Sequence, residues 1–193
     1  MTTVQDLGRF GHAAVGVPQS GGADWLSLRI GNRLLGNDDK DAVLEMTLVG
    51  GRFVFEESSL ICLAGADMPS AMVYGGGREY PVERWRPVVV VAGDELRIGP
   101  LRGGARSYIC VAGGVRTPPV LGSRSTLVSC GLGGVGRALR AGDQLEIGIY
   151  EPGRVVCALG EEEAERAGAV IGRRTLRIVP GAQLVYGPPL ETG

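Results

Sequence analysis

The sequence predicts a mainly β fold, a barrel or sandwich with one or two short helices. Three observations carry that expectation. Glycine occurs 33 times and proline 11 times in 193 residues, so turn residues recur at short intervals. The stretches between them are short Val, Ile and Leu runs of strand length, as in Arg52–Glu56, Ser59–Ala64, Pro87–Val91, Glu95–Ile98, Arg106–Val111, Gln144–Ile147, Val155–Ala158 and Thr175–Val179. Finally, Ala92-Gly93-Asp94-Glu95-Leu96-Arg97-Ile98-Gly99 is echoed by Ala141-Gly142-Asp143-Gln144-Leu145-Glu146-Ile147-Gly148. In each copy Gly-Asp makes a turn, and Leu and Ile two apart share one strand face. The echo reads as two similar turns into the sheet, with no function of its own.

Two segments break the β pattern. Asp24 is placed to cap a helix running to about Leu35, with Trp25, Leu28, Leu34 and Leu35 as its apolar stripe. Gly36-Asn37 is the stop, because glycine adopts the left-handed conformation at a helix end. Gly31 weakens that helix and implies close packing against a neighbour. Glu161–Ala167, with acids in its first turn and Gly168 after it, predicts a short surface helix or loop.

Composition excludes several function classes. Lys plus Arg is 20 against Asp plus Glu 21, so no basic excess points to nucleic acid or a membrane surface. No apolar run reaches the roughly 18 residues of a membrane helix, and residues 1–9 lack a signal-peptide core, so the cytoplasm is the expected location. Cys62, Cys110, Cys130 and Cys157 form no CxxC pair and read as buried reduced thiols. A single histidine, His12, cannot build a histidine zinc site and is a poor base for a Ser-His-Asp triad. Gly131-Leu132-Gly133-Gly134-Val135-Gly136 satisfies GxGxxG, but Arg137–Arg140 runs at once into the Ala141-Gly142-Asp143 turn. With no room for the helix that dinucleotide binding requires, the segment reads as a flexible loop over a substrate or partner.

The candidate site residues are Asp6, Arg9, Glu45, Asp67, Arg106 and Arg124. Asp6 and Arg9 flank Gly8 in a Gly-rich segment that either offers N–H groups and charge to a ligand or forms an Asp6–Arg9 ion pair. Glu45 interrupts the apolar run Ala42-Val43-Leu44, so it must pair with an arginine or titrate high as an acid or base. Asp67 ends the strand through Leu63-Ala64-Gly65-Ala66, where a turn cap is the first expectation. Arg106 and Tyr108 lie two apart on one strand and share a face. Arg124 is the cation of the polar turn Val120–Thr126.

Taken together these segments resemble the KipA family, also called the allophanate hydrolase subunit 2 family. The resemblance is carried by Thr2-Thr3-Val4-Gln5-Asp6-Leu7-Gly8-Arg9, Gly16-Val17-Pro18, Ser20-Gly21, Asp24, Asn32, Leu35-Gly36-Asn37 and Leu44-Glu45. It continues through Gly65-Ala66-Asp67, Trp85-Arg86-Pro87, Ala105-Arg106, Tyr108, Val111-Ala112-Gly113-Gly114, Leu121-Gly122-Ser123-Arg124-Ser125-Thr126 and Gly133-Gly134. It implies a cyclophilin-like β-barrel over residues 1–170, with 171–193 opening a truncated second half or forming a tail. It implies a subunit of an ATP-dependent 5-oxoprolinase, which opens the lactam of 5-oxoproline to glutamate with a KipI-type partner and a lactam-utilisation subunit. The alternatives are the carboxyltransferase component of a biotin-dependent urea carboxylase, or a regulatory subunit that binds without catalysis. No Met-Lys biotin-attachment signal occurs in this chain, so biotin would come from another chain. The shared theme is activation of an unreactive amide, for which carboxylates move protons and arginines stabilise developing oxyanions.

Overall fold

The computed structural model describes residues 1–149 together with Glu162, Glu163 and Arg166. Nine strands and one helix organise this region. They are β1 (Thr2–Gln5), α1 (Trp25–Leu34), β2 (Val43–Thr47), β3 (Arg52–Val54), β4 (Ser59–Asp67), β5 (Met72–Gly75), β6 (Arg78–Pro81), β7 (Val88–Val90), β8 (Glu95–Arg97) and β9 (Arg102–Val111). A 3-10 turn, Ala13–Val15, lies between β1 and α1. The strands form a five-stranded sheet in the order β1-β2-β9-β4-β7 and a four-stranded sheet in the order β3-β8-β5-β6. The laddered strand pairs are antiparallel. The mainly β class expected from the sequence is the class observed.

Period-two alternation in the five-stranded sheet divides its side chains between two cores. Val4, Leu44, Met46, Ile61, Leu63, Ile109 and Val111 face the four-stranded sheet, where Val73 and Leu96 meet them. Val43, Leu60, Cys62, Ala64, Tyr108, Cys110 and Ala112 face α1, where Leu28, Leu34 and Leu35 close over them. A sheet covered on both faces needs apolar residues at every position. That is why β4 is buried from Ser59 through Ala66 with no polar alternation. The same alternation turns Glu45 toward the helix side, because it follows Leu44 and precedes Met46.

The helix forms where the sequence places it. Asp24 Oδ1 accepts from the Ser27 amide at 3.0 Å, a side-chain N-cap. Gly36 follows the helix at φ +68°, the conformation a helix stop requires. Trp25 does not join the stripe. It stays 41% exposed, edge-on to Phe10 with ring centroids 6.0 Å apart.

Gly31 is required by close approach. A Cβ there would lie 2.4 Å from Cys110 Sγ and 3.2 Å from Ala64 Cβ. Alanine gains about 1 kcal/mol of helix propensity over glycine, but overpacking a filled core costs about 1–3 kcal/mol. Gly31→Ala is therefore expected to destabilise by about 1–2 kcal/mol in a urea melt. Cys110→Ala in the same chain should recover most of that loss.

Arg33 and Arg29 of α1 both donate to the carboxylate of Asp39, at 2.6–2.8 Å. Hydrogen bonding from Arg33, with a smaller contribution from Arg29, lowers the Asp39 carboxyl from 3.8 to about 2. A carboxyl depressed in the folded state adds stability above its unfolded value and loses it as pH falls. Asp39→Asn should lower stability modestly at pH 7 and leave it nearly unchanged near pH 2, which flattens the acid limb between about pH 4 and pH 2. Thermal melts across that window check it.

Several expectations need correction. Gln144–Ile147 is not a laddered strand; a single bridge joins Ile147 to Val115. The echoed turn is nevertheless real. Asp94 Oδ2 accepts from the Val91 amide at 3.0 Å and Asp143 Oδ2 from the Arg140 amide at 2.8 Å, so each aspartate caps its own turn. Strands β1, β2, β5 and β6 lie outside the apolar runs that the residue pattern marks. Cys62 and Cys110 are buried free thiols as expected, whereas Cys130 is exposed. Cys157, the runs 155–158 and 175–179 and the expected boundary near residue 170 lie outside the described residues. So does most of the Glu161–Ala167 helix, although Glu162, Glu163 and Arg166 are helical and Arg166 donates to Glu162 one turn away.

Candidate functional site

Five of the six candidate residues gather where β1 ends, α1 begins and the 123–126 turn crosses the sheet. Asp6 is the first node. Its Oδ1 accepts from the Gly8 amide at 2.7 Å, from Ser123 Oγ at 2.6 Å and from Ser125 Oγ. Its Oδ2 accepts from the Arg124 amide at 2.6 Å. In return the Asp6 amide donates to Ser125 Oγ at 2.9 Å. Both carboxylate oxygens are thus held by neutral donors, and the 6% exposed side chain pins a turn 118 positions away in the chain. The Asp6–Arg9 ion pair considered from the sequence is not formed. Arg9 Nη2 donates instead to the Ser125 carbonyl.

Glu45 is the second node. Its Oε2 accepts from the Ala23 amide at 2.7 Å and from Tyr108 Oη at 2.8 Å. Its Oε1 lies 3.4 Å from Arg106 Nε. That contact is a charge pair rather than an aligned hydrogen bond, since Arg106 Nε has no acceptor in bonding geometry. Register explains the grouping: Glu45 stands opposite Tyr108 across β2 and β9, and Arg106 is two residues along the same face. Burial first, and then the neighbouring Glu45 charge, push the Tyr108 hydroxyl well above its ordinary range. Tyr108 therefore stays protonated and donates to Glu45.

A three-residue strap joins the nodes. The amide of Gly22 donates to the Asp6 carbonyl at 2.9 Å, that of Ala23 to Glu45, and that of Asp24 to Tyr108 Oη at 2.7 Å. A Cβ on Gly22 would stand 2.9 Å from Leu28 Cδ1, so a larger residue there requires Leu28 to shift.

The Gly131–Gly136 loop is packed, not free. A Cβ on Gly133 would lie 2.1 Å from the Ser125 carbonyl oxygen and 2.7 Å from Arg9 Nη2. The Gly134 amide donates to the Arg124 carbonyl at 2.8 Å. No helix follows through Arg140, so the dinucleotide geometry is absent from this segment.

Asp67 is not part of the group. It pairs with Arg102 in register while Ala64 pairs with Tyr108, six positions along β9. That separation is about 20 Å at roughly 3.3 Å per residue. Asp67 is half exposed and lies 3.4 Å from Arg84. Sequence reasoning missed Ser123, Ser125 and the strap as parts of the site. Their signal was available only as the polar turn Val120–Thr126 and the Gly21-Gly22 pair. A separate concavity of about 870 Å³ opens between β3 and residues 139–147, and none of the six candidates lines it.

A family model described as the carboxyltransferase domain, subdomain A and B, matches residues 15–186. A 5-oxoprolinase subunit of Escherichia coli (strain K12) is 40% identical over 187 residues, covering 94% of this chain and 55% of that protein. The urea amidolyase of Lachancea kluyveri is 40% identical over 146 residues, covering 75% of this chain and 8% of that protein. Among solved structures, the Kluyveromyces lactis urea carboxylase superposes with a TM-score of 0.69 at 35% identity, over 82% of this chain and 14% of that one. The chain thus spans about half the length of that 5-oxoprolinase subunit and less than a tenth of that amidolyase. Sequence and backbone converge, and this chain belongs to the carboxyltransferase-domain family, subdomains A and B.

Proposed function

We propose that the chain is part of one subunit of an ATP-dependent 5-oxoprolinase and helps open the lactam of 5-oxoproline to glutamate. Its partners in this reading are a KipI-type subunit and a lactam-utilisation subunit, and the assembly works in the cytoplasm. The observation that carries the reading is the Glu45–Arg106 pair held on Tyr108 and the strap. Opening the lactam adds the hydroxyl of water to the carbonyl carbon and a proton to the ring nitrogen. A buried carboxylate is suited to take the water proton and deliver it to nitrogen. Arg106, one third exposed, is suited to stabilise the oxygen on which negative charge develops.

ATP would supply the driving force, but the described residues do not fit it. The sequence has no GxxxxGK[ST] phosphate loop, and its one lysine, Lys40, is exposed and lies 3.9 Å from Asp38. No group of three His, Cys, Asp or Glu among the described residues is placed to hold a metal ion. In this reading ATP is bound by the assembly rather than by these residues. Co-expression with both partners should give ATP-dependent glutamate release from 5-oxoproline; an assembly that forms and releases none contradicts the reading.

The family match to carboxyltransferase domains supports a second reading, transfer of a carboxyl group from biotin to urea or another small amide. Biotin would then arrive on another chain. An avidin blot of the native assembly separates the two: a biotinylated partner favours carboxyl transfer, and a biotin-free assembly removes it.

A further inference from the structure

Two arginines at this site have no anion among the described residues. Arg9 is 2% exposed, and although Nη2 reaches the Ser125 carbonyl, Nε and Nη1 are buried without an acceptor. Among the described residues no carboxylate lies within 4 Å of it. Arg124, the residue before Ser125, is fixed at both ends of its backbone, by its amide on Asp6 and its carbonyl on the Gly134 amide. Its side chain makes no hydrogen bond or ion pair among the described residues, and its Nε is buried without a partner. The nearby carboxylate, Asp6, does not neutralise them through contact, because neutral donors occupy both its oxygens. Other arginines of the domain behave differently: Arg84 meets Asp67 and Arg137 meets Asp143.

Buried charge is held in native structures when it is paired or hydrogen-bonded, and two guanidinium groups beside one turn repel each other. An arriving carboxylate relieves both penalties. Arg124 is the accessible of the two, and its planar fork matches a carboxylate. Arg9 is held on the carbonyl of the adjoining Ser125 and adds buried positive charge to the same turn. We propose that Arg124, backed by the buried charge of Arg9, receives a carboxylate carried by the substrate, so that the site selects an amide bearing an acid group over a neutral one. This inference rests on the amide-handling reading of Glu45 and Arg106 and assigns the specificity of that same site. Asp6 and the strap connect the two ends: Arg124 is bonded to Asp6, Asp6 to Gly22, and the next residue, Ala23, to Glu45.

Calorimetric titration of the intact assembly with 5-oxoproline, pyrrolidinone and urea tests it. Pyrrolidinone is the same lactam without the carboxylate. 5-Oxoproline is expected to bind at least about tenfold more tightly than pyrrolidinone, a ratio expected of one charge-assisted contact. Arg124→Gln should bring 5-oxoproline down to the pyrrolidinone affinity and leave pyrrolidinone unchanged, while Arg124→Lys should keep part of the preference. An unchanged melting temperature in Arg124→Gln shows that the fold is intact. Equal binding of the two lactams, or full discrimination surviving in Arg124→Gln, overturns the inference while leaving the lactam reading in place. Binding of urea with no binding of either lactam overturns both.

Discussion

Asp6→Asn is expected to cost about 3–5 kcal/mol of folding stability, the largest effect of any single polar change in this domain. The carboxylate accepts four hydrogen bonds, from two serine hydroxyls and two backbone amides. Hydrogen bonds to a charged acceptor contribute about 1.5–3 kcal/mol each, and a buried donor left without a partner costs about 1–3 kcal/mol. Asparagine keeps the shape but replaces one acceptor oxygen with an NH₂ group. Placed on the Oδ1 side it faces three donors; placed on the Oδ2 side it faces the Arg124 amide. Neither orientation satisfies the set, so the 123–126 turn loses part of its hold on Asp6 while keeping the Thr126 amide on the Val4 carbonyl and Gln5 Nε2 on the Thr126 carbonyl. Equilibrium urea unfolding of the two proteins checks the difference, with the slope unchanged and the midpoint lowered.

Gly133→Ala is expected to cost about 3 kcal/mol or more, and to loosen the loop over Arg9. Two effects add. The backbone φ is +66°, where an L side chain is strained by about 1–2 kcal/mol. The new methyl would also sit 2.1 Å from the Ser125 carbonyl oxygen, a backbone atom that Arg9 already holds. The loop must move away, which breaks the Gly134 to Arg124 hydrogen bond. Gly122→Ala is the control, since φ there is +77° but nothing lies within 4 Å of the new methyl. It should show only the conformational penalty. Hydrogen exchange at the Gly134 amide reports the loosening directly, with faster exchange in Gly133→Ala than in Gly122→Ala.

Much of this scaffold was legible in residue order because its signals are local. Asp24, Gly36 and the spacing of Leu28 with Leu34 and Leu35 specify α1 without any tertiary information. The Gly-Asp turns at 93–94 and 142–143 adopt one geometry because the same side chain caps each. Register was not legible, because it depends on pairings distant in sequence. Glu45 and Tyr108 are 63 positions apart, and only the β2–β9 ladder reveals that they touch. Gln144–Ile147 shows the opposite failure. It has the alternation of a strand but no ladder partner beyond the Val115–Ile147 bridge. The Asp6–Arg9 pair failed for a similar reason. Proximity in sequence favours it, yet the serines of the 123–126 turn reach the carboxylate first, and Arg9 is drawn to a carbonyl instead.

In the proposed function the two buried carboxylates of the site, Asp6 and Glu45, take different tasks. Asp6 has both its oxygens engaged with neutral donors and acts as a knot between distant segments. Glu45 has one oxygen fixed by Tyr108 and Ala23, and the other turned to a partly exposed arginine without an aligned bond. In the proposed reading it is this second oxygen that accepts the proton as general base.

Turnover of 5-oxoproline by the reconstituted assembly carrying Glu45→Gln tests this division most directly. Glutamine keeps an oxygen for the Tyr108 and Ala23 donors, so stability should fall by no more than about 1–2 kcal/mol. Loss of a general base should lower kcat by at least about 100-fold with KM nearly unchanged. An assembly carrying Glu45→Gln that turns over 5-oxoproline at the unsubstituted rate would contradict the assignment of Glu45 and the site built around it.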